Sequence, residues 1–159
     1  MRELLRTDFD LVEYLPIISE VIESGGEFRL FPRGTSMRPL IRQGIDSVIL
    51  VKSGEKCHKR DVILYSREGG QLVLHRIVKV EKDGSYTLCG DNQTTLEKGI
   101  TQDNVLAVVS AFYRGDKRRE KGSFGLEIYE RLWCIMAVRK GFFLAKCIIS
   151  KIKKTLGAK

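Results

Sequence analysis

Three kinds of side chain in this sequence can together do acyl-transfer chemistry. The first is Ser36, in Arg33-Gly34-Thr35-Ser36-Met37-Arg38-Pro39-Leu40. Gly34 permits backbone angles that other residues resist, and Pro39 fixes its own φ and steers Arg38 away from helix. A hydroxyl on such a turn is held still and open, which suits a nucleophile and equally suits a plain turn serine. The second is His75, inside the apolar run Leu72-Val73-Leu74-His75-Arg76-Ile77-Val78. A lone histidine there is commonly a satisfied core residue. If Ser36 has an imidazole base, however, His75 is the candidate, because the only other histidine, His58, sits in the charged loop Lys56-Cys57-His58-Lys59-Arg60. The third is a carboxylate downstream, Asp91 in Cys89-Gly90-Asp91-Asn92 or Glu97 just beyond it. Either can fix an imidazole tautomer and stabilise its cation.

The elements that must position these groups are mostly strands. Phe28–Phe31, Asp46–Lys52, Asp61–Ser66, Gln71–Glu81, Ser85–Cys89 and Asn104–Tyr113 are short, rich in Val, Ile, Leu and Tyr, and punctuated by Gly, Asp, Lys and Ser. Lys82-Asp83-Gly84-Ser85 is a tight hairpin turn. Alternation puts Val73, His75 and Ile77 on one face and Leu72, Leu74, Arg76 and Val78 on the other. The expected fold is mainly β, a compact folded-over or barrel-like body over residues 27–114. Residues 1–26 carry an amphipathic helix, read over 9–24 from Leu11, Leu15, Ile18 and Ile22. Pro16 marks either its first turn or a kink, and Gly25-Gly26 ends it. Residues 115–125 read as a polar linker, and 126–159 as a basic amphipathic helical tail.

Charge separates body from tail. Residues 1–113 hold 15 Lys+Arg and 16 Asp+Glu, net −1, whereas residues 114–159 hold 13 and 4, net +9. A near-neutral body argues against a nucleic-acid partner, and a basic tail argues for a partner of its own. The tail's longest uncharged run, Leu132 to Val138, is far short of the roughly 20 residues a spanning helix needs. A cationic, aromatic-bearing helix suits an anionic bilayer surface; the alternative is that it folds back as a cap. The expected location is therefore peripheral to a membrane, on either side of it, or cytoplasmic. Met1 to Leu11 carries Arg2, Glu3, Arg6, Asp8 and Asp10, which no apolar signal core tolerates. Cys57, Cys89, Cys134 and Cys147 form no CxxC pair, so neither a zinc site nor a disulfide framework is expected.

Order and context make the pattern specific. Gly-x-Ser-Met-x-Pro-Leu, then Arg-Asp-Val-Ile-Leu-Tyr, then Leu-His-Arg-Ile-Val-Lys-Val, then Cys-Gly-Asp-Asn resembles the type I signal peptidase family over about residues 27–113. It is most similar to the branch with a histidine base, found in the endoplasmic reticulum, archaea and some spore-forming bacteria. The resemblance implies Ser36 as nucleophile and His75, 39 residues on, in place of the lysine base of the commoner branch. It implies Asp91 as the aspartate of the Gly-Asp-Asn motif. Glu97 stands where that branch carries a further catalytic aspartate. The resemblance also implies that Met37 helps shape the substrate pocket, with Gly34 and Thr35 beside it. The implied substrate is an extended peptide cut after small residues, without a cofactor or metal. Two features depart from the family: no spanning helix precedes the Ser-Met motif, and the third acid is a glutamate. Two other readings stay open. One is a self-cleaving regulator of the LexA type, which shares the fold but uses a Ser–Lys dyad. The other is a peptide-binding module that kept the fold and lost the chemistry.

Overall fold

The computed structural model describes residues 13–156. Helix α1, Leu15–Glu23, has Pro16 in its first turn, where the missing N–H costs nothing. It buries Ile18 and Ile22 and stops at Gly25, whose φ of +82° ends a helix without strain. Residues 9–12 of the expected helix lie outside the described residues.

Eight strands follow: β1 Phe28–Leu30, β2 Ser47–Val51, β3 Val62–Ser66, β4 Leu72–Val80, β5 Tyr86–Cys89, β6 Glu97–Ile100, β7 Val105–Arg114 and β8 Lys117–Glu120. All pairings are antiparallel, in the order β1-β2-β7-β3-β4-β5-β6, with β8 also on β7. The path is open, ending at β1 and β6. The body is thus a bent sheet rather than a closed barrel. Its bends sit at bulges. Leu106 and Ser110 on β7 and Val78 on β4 are skipped in the pairing. Each skip reverses which face the next side chains meet, so β7 feeds Ala107, Val109 and Phe112 to one core and Val105 and Val108 to the other.

Both faces are covered. One cluster joins Ile18 and Ile22 of α1 to Val48, Leu50, Leu64 and Leu74 of the sheet. The other joins Cys57, Ile63, Tyr65, Ile77, Tyr86 and Leu88. β4 separates them by its alternation, with Leu74 on the first side and Val73 and Ile77 on the second.

Residues 115–125 are not a linker. Gly115 (φ +62°) and Asp116 form a two-residue turn, and Lys117–Glu120 returns along β7 on the edge that β3 leaves vacant. The tail is two helices, α2 Phe124–Trp133 and α3 Met136–Leu156. α2 docks on the sheet through Leu126, Glu130 and Trp133, and the first turn of α3 buries Arg139 completely. Beyond that turn α3 is largely exposed. Cap and free helix, the two alternatives for the tail, therefore occupy different stretches of it. Among the described residues no helix is long and apolar enough to cross a membrane.

Candidate active site

The Ser36 turn is pinned at both ends. Gly34, at φ +83°, donates its N–H to Gln43 Oε1 at 3.1 Å. The Arg38 N–H donates to the Thr35 carbonyl at 3.2 Å, closing a turn over Ser36-Met37. Met37 and Ile41 are buried in the first core and act as plugs under that turn. Downstream, Asp46 is buried and accepts from Arg42 Nε and Nη2 at 2.8 Å each and from the Gly115 N–H at 3.1 Å. Ser36 is left half-buried and lines a cleft of about 240 Å³.

His75 lines the same cleft and is only 4% exposed. Its Nδ1 lies 3.2 Å from the Tyr65 hydroxyl and 4.0 Å from Glu97 Oε2. The Tyr65 hydroxyl donates to Glu97 Oε2 at 2.9 Å. Its proton is thereby committed, so its oxygen can only accept from an Nδ1–H of His75. That fixes the neutral tautomer with a bare lone pair on Nε2. Arg67 clamps Glu97 with Nε to Oε1 at 2.9 Å and Nη2 to Oε2 at 2.6 Å. This fork holds the Glu97 carboxyl below its ordinary range despite some burial. Burial, and then the Arg67 charge, push His75 down to about 4, against the pull of Glu97 and Asp91. The imidazole is neutral at pH 7. Burial and the bond to Glu97 raise Tyr65, so it stays a protonated phenol.

Nε2 lies beside Gly90. A Cβ at Gly90 would lie 3.0 Å from His75 Nε2, 2.8 Å from the Ser36 carbonyl oxygen and 2.7 Å from Gln93 Oε1. A side chain at this position would collide with the Ser36 carbonyl and the imidazole, so glycine suits the close approach. The Asn92 N–H donates to the Ser36 carbonyl at 2.6 Å, tying the 90–93 loop to the turn.

Asp91, expected as an alternative partner of His75, faces elsewhere. Its carboxylate takes a two-pronged bond from Arg76, Nε to Oδ1 and Nη2 to Oδ2, at 2.9 Å each, and both side chains are fully buried. Tyr129 donates to Oδ2 at 3.0 Å and the Trp133 indole N–H to the Asp91 carbonyl at 2.7 Å. Glu130 approaches Arg76 at 3.2 Å. Arg139 donates to the carbonyls of Gly90, Gln93 and Trp133. α2 and the start of α3 therefore hold the loop behind the cleft, and Asp91 reaches His75 only through its field.

The cleft exposes a strand edge. β4 pairs with β5 only from Arg76 onward, so its edge over residues 72–75 is unpaired by β5 and runs along the cleft opposite Pro32–Gly34. An edge of this kind accepts an extended peptide by strand addition. Met37, Ile41 and Leu74 are buried residues at the base of the cleft, whose exposed lining is mostly polar. Thr35 is exposed and is not part of the lining.

The structure thus brings Ser36, Met37, Gly34 and His75 together around one cleft, puts Glu97 behind His75, and pairs Asp91 with Arg76 and Tyr129. Tyr65, Arg67 and Gly90 escaped sequence reasoning as site residues. Tyr65 had one signal: two residues past Ile63 on one side of a hairpin, it shares the His75 face. Arg76 had another, since a charge on a buried strand face must find a partner. Among the described residues no group of three or more His, Cys, Asp or Glu side chains is placed to hold a metal. Among the described residues no lysine lines the cleft. Neither a curated protein nor a solved structure matches the chain. A sequence profile of the Peptidase S24-like family matches residues 5–110, a span that covers the Ser36 turn and the strands bearing His75 and Glu97. The chain belongs to the Peptidase S24-like family.

Proposed function

We propose that this protein is a serine endopeptidase in which His75, rather than a lysine, activates Ser36, and that its substrates are leader- or signal-type peptides cut after small residues. One observation carries the reading: Ser36 and His75 line one cleft, and Tyr65 and Glu97 occupy the Nδ1 side of the ring, which leaves Nε2 free to act as base. An extended substrate adds to the 72–75 edge of β4. Nε2 takes the Oγ proton as Ser36 attacks the scissile carbonyl, and a backbone N–H of the turn supports the oxyanion. The imidazolium then protonates the leaving amine, and water, deprotonated by His75, releases the acyl group. Glu97, through Tyr65, stabilises the transient cation. The confined base of the cleft suits a small residue before the cut. The similarity of the Ser-Met, Leu-His-Arg and Gly-Asp-Asn stretches to the histidine-base signal peptidases supports the substrate class.

The test compares protein N-termini in cells carrying the native chain and Ser36→Ala, alongside hydrolysis of matching peptides by purified protein. Ser36→Ala and His75→Ala should each lower kcat by roughly 1,000-fold or more, and the double variant should be little worse, since the pair acts as a unit. Native rates in either single variant exclude the assignment. The Peptidase S24-like match also fits a LexA-type self-cleaving regulator. In that case the intact mass of the purified chain falls with time in a Ser36-dependent way and no other protein's N-terminus changes. An unchanged proteome and an unchanged mass point to a peptide-binding module.

A further inference from the structure

The exposed part of α3 is unused by the cleft and by the core. Phe142, Leu144, Ile148, Ile149 and Ile152 are each 41–64% exposed. At helical spacing they fall within an arc of roughly 160°. Lys146 and Lys153 border one side of this arc, Lys140 and Lys151 the other, and all four are exposed. No acidic residue occurs anywhere from Met136 to Leu156. Phe142 packs edge-on against Trp133, with ring centroids 5.1 Å apart. Arg139, one turn earlier, is anchored in the 90–93 loop. The free stretch is therefore rigidly attached to the body.

We propose that residues 140–156 lie in the interface of an anionic lipid bilayer, with the Phe142–Ile152 face sunk among the acyl chains and the flanking lysines at the headgroups. Four features select this occupant. The apolar face is wide enough for burial in an interface, while no described helix is apolar enough to span. Long lysine side chains on both borders can bury their stems and raise their ammonium groups to headgroup phosphates. The charge is complementary to an anionic surface and to little else on this chain, whose residues 1–113 are near neutral at −1. A second copy using the same face would set lysines against lysines with no carboxylate on either helix. Because Arg139 and Trp133 join this helix to the loop behind Ser36, bilayer docking would also fix the height of the cleft above the membrane.

The test uses the full chain with phosphatidylcholine vesicles, with and without phosphatidylglycerol, and reads co-sedimentation rather than hydrolysis, so it stands apart from the peptidase reading. The native chain should bind the phosphatidylglycerol vesicles and release them as salt rises. Ile148→Glu/Ile152→Glu should weaken that binding at least about 10-fold with an unchanged thermal transition, because both side chains are half-exposed. Lys146→Gln/Lys153→Gln should weaken it while leaving the apolar face intact. Equal binding by the native chain and the double glutamate variant, or no preference for phosphatidylglycerol, overturns the proposal. So does a dimer in sedimentation velocity that the glutamate variant dissociates without any vesicle binding, which assigns the face to a second copy.

Discussion

His75 links the stability of the molecule to its chemistry. Buried and neutral, it has a pKa of about 4 in the fold against an ordinary value near 6.5. The unfolded chain therefore binds a proton across that window which the folded chain refuses. The contribution is fully present above pH 6.5 and is lost as pH falls toward 4, a loss of about 3 kcal/mol by linkage. Denaturant titrations between those limits should show this slope, and His75→Gln should remove most of it. The two charges behind the ring act in opposite senses on catalysis. Glu97 raises the imidazole pKa and Arg67 lowers it. A general base must be neutral, so activity disappears as pH falls through its pKa. Glu97→Gln should move the acid limb of kcat/KM to lower pH and reduce kcat at neutral pH by roughly 10- to 100-fold, since the cation loses its carboxylate. Arg67→Gln should move the limb to higher pH. A limb that stays put in both variants would mean another group sets the profile. The candidates Ser36 and His75 were legible because their local context is unusual: a glycine-proline turn and a base in an apolar strand. The relay through Tyr65 and Arg67 was not, because it depends on where β6 returns, and Glu97-Lys98-Gly99-Ile100 has little of the β-branched or aromatic character that marks a strand.

At the scale of elements, the 90–93 loop shows how a motif can be legible in sequence while its partners are not. Gly-Asp-Asn was legible as a turn, and an acid returning toward His75 was a sound expectation from the hairpin. Two things decide which groups Asp91 meets, and neither lies in the motif. Arg76 sits on the opposite face of β4 from His75, and α2 arrives from more than 30 residues away to bring Tyr129 and Trp133 against Asp91 and Glu130 against Arg76. A buried guanidinium with two carboxylates nearby is stable only as a complete set. Removing one charge should therefore cost folding rather than chemistry. Asp91→Asn is expected to destabilise the protein by roughly 3–5 kcal/mol and to lower activity only as far as the folded fraction falls. Glu97→Gln should show the reverse, with little change in unfolding midpoint and a clear kinetic defect. Measuring midpoint and kcat for the two variants side by side separates the roles; a stable but inactive Asp91→Asn would return Asp91 to the catalytic set. The bulges at Leu106, Ser110 and Val78 were illegible for a related reason. A skipped residue is a property of the pairing between two strands, and one strand read alone shows only a lapse in alternation.

Across the whole molecule, the charge boundary near residue 114 and the packing boundary do not coincide. The sequence divides where the basic excess begins, but the fold continues to the first turns of α3. β8 fills the edge of β7, and Leu126, Glu130, Trp133 and Arg139 are all nearly inaccessible to solvent. Composition misplaces the division because a helix can be basic on one side and still bury three or four residues on the other. Truncation is the direct measure of where the folded unit ends. A chain ending at Phe143 keeps α2, Arg139 and the Phe142–Trp133 contact. It should unfold within about 1 kcal/mol of the native chain, because the described side chains it lacks are exposed, and it should keep the peptide chemistry. A chain ending at Ser123 uncovers the sheet under Leu126 and Trp133, losing about 1.5–3 kcal/mol for each large apolar side chain. It also leaves Arg76 and Asp91 open on one side and frees the Gly90–Gln93 loop. That sum approaches the 5–15 kcal/mol by which a typical domain is stable, so this chain should lack a cooperative thermal transition. Cooperative unfolding and retained activity in the Ser123 truncation would show that α2 is an appendage and that residues 27–114 form the complete peptidase body.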